Sequence, residues 1–296
     1  MPELVAERAE LRRRCEQARR AGRSVGFVPT MGALHEGHLA LLDAARREGA
    51  DFLVASIFVN PLQFGEGEDF ERYPRTLERD LEACAERGVD LVFAPEARHF
   101  YPPGFSSRVV AGGPVGRWEG AHRPGHFDGV ATVLTKLFSL VGPSVAVFGR
   151  KDFQQWRVVE RLVEDLDLPV RIVGHPIVRE PDGLARSSRN RYLSEAERRR
   201  ALAIPESLTS VHDLWARGER RAEALGRRVE EVLGPAVDAV DYVAVVDART
   251  LEPLSGQVAD EPHGPVVLVA ARVGTTRLID NLWLGVDEPP RRPAGD

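Results

Sequence analysis

The chain has 296 residues, 43% hydrophobic and 29% charged, which is enough apolar material for one large or two medium domains with a substantial core. Its net charge of −5 argues against a general nucleic-acid binder, whose affinity rests on a basic face. Two cysteines, Cys15 and Cys84, make neither a disulfide framework nor a metal quartet and point to a cytoplasmic setting, and the longest apolar run, at 52–59, is far too short to span a bilayer.

The first residues mix Glu3, Glu7 and Glu10 with arginines and read as an amphipathic helix rather than a targeting signal. The arginine runs at 12–14 and 198–200 read as solvated helix faces. Strand-like runs at 25–28, 52–59, 89–93 and 145–148 alternate with helical patterns around 39–47, 77–87 and 130–141, which predicts βαβ units and a parallel sheet. Between them, Pro124 and Gly125 exclude a helix before Phe127, so His122 and His126 do not form a helical metal pair. Another strand is expected at 170–178, and the turn Arg179-Glu180-Pro181-Asp182-Gly183 opens a second part. Helices at 195–203 and 221–233 and strands at 242–246, 266–269 and 278–283 follow, giving a smaller α+β domain. The proline-rich tail from 288 to 296 is expected to be disordered. The predicted organisation is therefore an α/β domain over 1–177, an α+β domain over 178–287 and the tail.

The most informative stretch is Pro29-Thr30-Met31-Gly32-Ala33-Leu34-His35-Glu36-Gly37-His38, where an apolar strand passes through glycines into a helix. The first N–H groups of such a helix are unpaired and its dipole favours an anion, so this junction suits a phosphate. Gly37 lets a flat group such as adenine approach the backbone. The run is one residue short of the His-Glu-x-x-His of a zinc protease, which excludes that chemistry. Neither a Gly-x-x-x-x-Gly-Lys-Ser/Thr loop nor a dinucleotide fingerprint is present, since the Gly-x-Gly at Gly65 and Gly67 ends in Phe70.

Of 40 basic residues only Lys136 and Lys151 are lysine. A lysine is a compact point charge where arginine is a planar fork. Lys136 lies in a helical pattern and is read as incidental, whereas Lys151 follows a strand end at Gly149. In a flexible segment, Arg186-Ser187-Ser188-Arg189-Asn190 offers hydroxyls and guanidinium groups able to hold phosphate oxygens. Polar clusters after strands, namely His35 with His38, Asn60 with Gln63, and Gly149 to Asp152, are expected to converge on one crevice.

A His-Gly-His helix start followed far downstream by a Lys or Ser/Arg loop resembles the class I aminoacyl-tRNA synthetase and nucleotidyltransferase superfamily, with its Rossmann-like parallel sheet. Six matching stretches narrow the resemblance to the pantothenate synthetase family: 29–38, Ile57-Phe58-Val59-Asn60-Pro61-Leu62-Gln63-Phe64, Tyr73-Pro74-Arg75-Thr76, 123–130, 148–155 and Ser187-Ser188-Arg189-Asn190-Arg191-Tyr192-Leu193. The resemblance implies ATP-dependent condensation of (R)-pantoate with β-alanine through a pantoyl adenylate, with AMP and pyrophosphate released.

It further implies that Met31, Gly32, Ala33, Leu34, His35, Glu36, Gly37 and His38 hold ATP together with Gly149, Arg150, Lys151, Asp152, Val178, Arg186, Ser187, Ser188 and Arg189. Among these, His35, His38, Lys151, Ser187, Ser188 and Arg189 would serve catalysis. Gln63, Gln155, Asn60, Arg123 and His126 would bind substrate. Mg²⁺ is expected to arrive with ATP, its protein ligands unassigned and Asp80 an outer-sphere partner, and a homodimer is the family expectation. Arg186 stands where the family usually has methionine, and Arg150 where it commonly has an acidic residue. Two other readings share the first motif: an adenylyltransferase acting on a phosphate ester, which the uncharged Gln63 and Gln155 suit less well, and a non-catalytic adenine-nucleotide sensor.

Overall fold

A computed structural model describes residues 1–113, 115–259 and 264–290. In chain order the elements are β1 (Glu3–Val5), α1 (Arg8–Arg20), β2 (Val25–Thr30), α2 (Glu36–Arg47), β3 (Phe52–Ile57), α3 (Leu77–Glu86), β4 (Leu91–Phe93), α4 (Ala97–Phe100), α5 (Glu119–His122), α6 (His126–Val141), β5 (Ser144–Gly149), α7 (Phe153–Asp165) and β6 (Val170–His175). Then come α8 (Glu195–Ala201), α9 (Ala203–Ala216), α10 (Ala222–Leu233), β7 (Ala239–Asp247), β8 (Pro265–Val273) and β9 (Thr276–Trp283). The chain forms two compact units, one of Met1–Arg150 with Gln154–His175, the other of Lys151–Phe153 with the residues from Pro176 onward.

In the first unit six parallel strands run in the order β1-β4-β3-β2-β5-β6. From β2 the chain winds outward through β3 to one side and through β5 to the other. The order therefore reverses between β2 and β5, and a crevice at such a reversal opens beyond the carboxyl ends of the strands. Phe27, Leu53, Leu91, Phe93, Phe100 and Phe138 are fully buried. The apolar runs that suggested strands are apolar because parallel strands are covered on both faces. Cys15 and Cys84 are buried, free thiols, and burial pushes both up to about 11, which makes them packing residues with little thiolate character.

The second unit carries an antiparallel sheet, β7-β8-β9, against which α9 and α10 pack through Ile204, Leu208, Leu225 and Leu233. Arg179 grips the buried Asp280 with two hydrogen bonds, 2.7 and 3.0 Å.

Several expectations need correction. Residues 3–5 are an edge strand, β1, paired with β4; the helix begins only at Arg8. α7 went unread as a helix because its Gln-Gln-Trp-Arg opening interrupts the apolar run. The strand expected at 170–178 stops at His175, and the helix expected at 195–203 breaks at Leu202, beyond which α9 continues to Ala216. A one-turn helix, α5, does precede Phe127, and α6 starts at His126 behind Gly125, whose φ of 77° suits the turn. Lys136 is not incidental: its Nζ lies 4.8, 5.0 and 5.5 Å from the ring centres of Phe105, Phe100 and Tyr101, a cage for a compact cation. Most of the expected tail, 291–296, lies outside the described residues, and 288–290 form no regular element.

Candidate active site

At the exit of β2, Gly32 and Ala33 both take left-handed backbone conformations, φ 83° and 51°. Two successive residues of this kind turn consecutive N–H groups to one side, making a small anion-binding concavity. That concavity is filled from within the protein. Asp80, 2% exposed, accepts from Ala33 N at 3.0 Å and Leu34 N at 2.8 Å, and the Thr76 hydroxyl donates within 3.2 Å of both carboxylate oxygens. A Cβ on Gly32 would stand 3.0 Å from Asp80 Oδ2, so only glycine fits without displacement. Asp80 therefore clamps this loop.

Beyond the clamp, His35 caps α2. Its Nδ1 accepts from Gly37 N at 3.1 Å, and His38 Nδ1 lies 3.4 Å from His35 N, the two rings stacked 4.1 Å apart. A backbone N–H can only donate, so in the neutral ring each Nδ1 is the bare nitrogen and the proton sits on Nε2. Both imidazoles thus stand beside the positive dipole end of the helix. Met31 stands before this loop and Glu36 and Gly37 begin the helix.

At the end of β3, Gln63 closes a short 3-10 turn, Pro61–Gln63, behind Asn60. Its carbonyl lies 2.9 Å from His126 Nδ1 and accepts from Arg123 Nη2 at 3.3 Å. Arg123 in turn forms a two-pronged pair with Glu68, 2.8 and 2.7 Å. Burial raises the Glu68 carboxyl, but the hydrogen bonds and charge of Arg123 outweigh it and hold the group below its ordinary value. The Gln63 side-chain amide accepts from Asn60 Nδ2 at 3.0 Å and donates to Met31 Sδ at 3.3 Å. Gly129 of α6 packs against this turn so closely that a Cβ would meet Leu62 O at 2.2 Å. Of the expected substrate ligands, Asn60, Arg123 and His126 thus bear on Gln63. Further along, Gln154 is buried and holds the chain at 117–119 by two 2.9 Å hydrogen bonds. Its neighbour Gln155 is half-buried and makes no side-chain hydrogen bond among the described residues. Gly149 ends β5, and Arg150 behind it is buried.

In the second unit, Lys151 is half-buried, its carbonyl accepting from Asn281 Nδ2 at 2.9 Å, and Phe153 meets Trp283 edge-on at 5.6 Å. Those two contacts explain why 151–153 group with the second unit. Asp152 is exposed. The Arg186 N–H donates to Val178 O at 2.9 Å, next to a bridge between Arg179 and Ala185. Ser187 caps the turn Ser188–Tyr192, its Oγ accepting from Arg189 N at 3.3 Å. Buried Asn190 anchors that turn through Glu180 Oε1 at 2.7 Å and Ala185 O at 3.0 Å.

Asp80, Glu68, Tyr101 and Gly129 carry structural roles that sequence reasoning missed. Only Asp80 left a signal, as the acidic first turn of a helix opened by Thr76.

A parallel sheet reversing at β2 and β5, with a histidine-capped helix start at its carboxyl edge, defines a Rossmann-like α/β protein built for an anionic nucleotide. A family model described as pantoate-beta-alanine ligase matches residues 3–283, and the chain belongs to that family. Pantothenate synthetase from Pelobacter propionicus is 49% identical over 284 residues, 96% of this chain and 98% of the relative; that from Aquifex aeolicus is 50% identical over 283, covering 95% and 98%. The crystal structure of pantothenate synthetase from Thermus thermophilus superposes with a TM-score of 0.87 at 50% identity, covering 95% of this chain and 99% of that one. The ligase of Francisella tularensis, crystallised with β-γ ATP and β-alanine, gives 0.77 at 29% identity, over 98% and 100%.

Proposed function

We propose that the protein condenses pantoate with β-alanine, using ATP, to give pantothenate, AMP and pyrophosphate. A pantoate carboxylate oxygen attacks the α-phosphorus, the bond to pyrophosphate breaks, and the β-alanine amine then attacks the acyl carbon of the adenylate, expelling AMP and giving up a proton. The observation that carries the reading is the stacked His35–His38 pair at the start of α2, on the same sheet edge as two glutamines, within a family whose Francisella member binds an ATP analogue and β-alanine.

In this reading Met31 to His38, Gly149, Arg150, Asp152, Val178 and Arg186 contact ATP. His35, His38, Lys151, Ser187, Ser188 and Arg189 meet charge that develops on the phosphates, which is most of what such a displacement asks of a protein. Gln63 and Gln155 hold pantoate. Mg²⁺ enters as part of the ATP complex, held by phosphate oxygens and water. Among the described residues no cluster of three or more acidic, histidine or cysteine side chains offers it a site, and Asp80 is already engaged. The division of labour between an ATP- and pantoate-binding part over 1–177 and a lid over 178–287, a homodimer and a cytoplasmic setting belong to the same proposal; no helix among the described residues is long and apolar enough to cross a membrane.

The test is to incubate the protein with Mg-ATP and pantoate, with and without β-alanine, and follow AMP, ADP, pyrophosphate and pantothenate. Pyrophosphate together with β-alanine-dependent pantothenate is expected. ADP would refute adenylate chemistry, and intact bound ATP would make the protein a sensor. In the same assay Lys151→Ala should lose roughly a hundred- to a thousandfold in adenylate formation, with Lys151→Arg rescuing poorly because its fork cannot replace a point charge.

A further inference from the structure

Asn60 is 1% exposed and its side-chain amide is saturated inside the fold. Its Oδ1 accepts from Leu62 N at 3.3 Å and from the Tyr101 hydroxyl at 2.9 Å; its Nδ2 donates to Gly129 O at 3.1 Å and to Gln63 Oε1 at 3.0 Å. An amide has two lone pairs and two hydrogens to give, and all four are used. Which end is oxygen is decided chemically, because Leu62 N–H can only donate and Gly129 C=O can only accept. Gln63 therefore meets a donor from Asn60, so its Oε1 is held facing Asn60 and its Nε2 is turned toward Met31 Sδ with a second hydrogen to spare.

The Tyr101 hydroxyl completes the lock. Its ring lies among Phe58, Phe100 and Phe105, and burial pushes the phenol up from its ordinary value, so the group keeps its proton and remains a donor. Lys136 Nζ lies 5.5 Å from the same ring.

We infer that Tyr101 and Asn60 are positioning residues that set the polarity of the Gln63 amide, so that this site offers N–H donors and selects a substrate group that only accepts, such as a carboxylate. Asn60 on this account never touches substrate. The inference rests on the pantoate reading above and deepens it by assigning how the acid is told from its neutral analogues.

Three variants of the full chain test it, read by the KM for pantoate, the KM for ATP, the melting temperature, and the inhibition constant of pantoamide relative to the pantoate KM. Tyr101→Phe should raise the pantoate KM about fivefold, the worth of one buried hydrogen bond, leaving the ATP KM and melting temperature near wild type. Asn60→Asp can accept from Leu62 and Tyr101 but cannot donate, so Gln63 turns its Nε2 inward and shows oxygen to the substrate. Its pantoate KM should rise on the order of a hundredfold, and the preference for pantoate over pantoamide should collapse. Gln63→Glu, which shows only oxygen whatever its orientation, should reproduce that collapse and decides the matter if Asn60→Asp does not fold. An unchanged pantoate KM in Tyr101→Phe, an unchanged preference in Gln63→Glu, or ATP and pantoate KM rising together would overturn the inference. Wild-type protein that does not consume pantoate would instead overturn the functional reading, so the two failures are distinct.

Discussion

The loop 31–38 and the turn 60–63 both follow strands of the same sheet, yet they are held in opposite ways. In the first, side chains hold backbone: Asp80, His35 and His38 receive the N–H groups of Ala33, Leu34, Gly37 and His35. In the second, backbone holds side chains: Leu62 N–H and Gly129 C=O orient Asn60, which orients Gln63. On the proposed function, the first would meet phosphate with rigid donors on a helix end, and the second would meet a hydroxy acid with a set amide polarity. The difference teaches that neighbouring stretches of one sheet edge can be fixed by independent devices, which meet where Gln63 Nε2 donates to Met31 Sδ.

That independence can be broken from either side. Asp80→Ala should have the largest effect, since it leaves two buried N–H groups and a strained Ala33 without their anchor. We expect a loss of about 3 kcal/mol in stability, measured by denaturant unfolding, with the KM for ATP rising and that for pantoate nearly unchanged. Gly129→Ala should come next. Its Cβ must push the 60–63 turn away from α6, costing about 1–3 kcal/mol and, in steady-state kinetics, raising the pantoate KM while sparing ATP. If either variant disturbs both substrates equally, the two regions form one unit and the comparison falls.

The smallest effect belongs to the Glu68–Arg123 pair behind Gln63. Glu68 titrates below its ordinary 4.5 in the folded chain, so its contribution is present above that value and is lost as pH falls through the lower, folded one. Glu68→Gln should remove about 1 kcal/mol or less at neutral pH and flatten the acid limb of the stability curve below pH 4.5, followed by thermal melting across pH.

The alternation of apolar strands with amphipathic helices made the parallel sheet legible, because strands covered on both faces must be apolar throughout and their helices only on one side. The histidine cap of α2 was legible because the contacts among His35, Gly37 and His38 fall within four residues of chain. By contrast, β1 went unread because three residues carry no periodicity and become a strand only by pairing with β4, 88 residues further on in the register that joins Glu3 to Leu91 and Val5 to Phe93. Lys136 looked incidental because its cage is supplied by rings around residue 100.

What the sequence by itself determined, then, is the fold class, the family and the histidine-capped helix start, all written in local pattern. Tertiary structure alone decided that Asp80 clamps a loop 46 residues away and that Tyr101 lies 41 residues from the amide it locks. It likewise turned Asn60, Arg123 and His126 onto Gln63. Hydrogen-bond polarity depends on which donor faces which acceptor across packed elements, and no spacing along the chain records that.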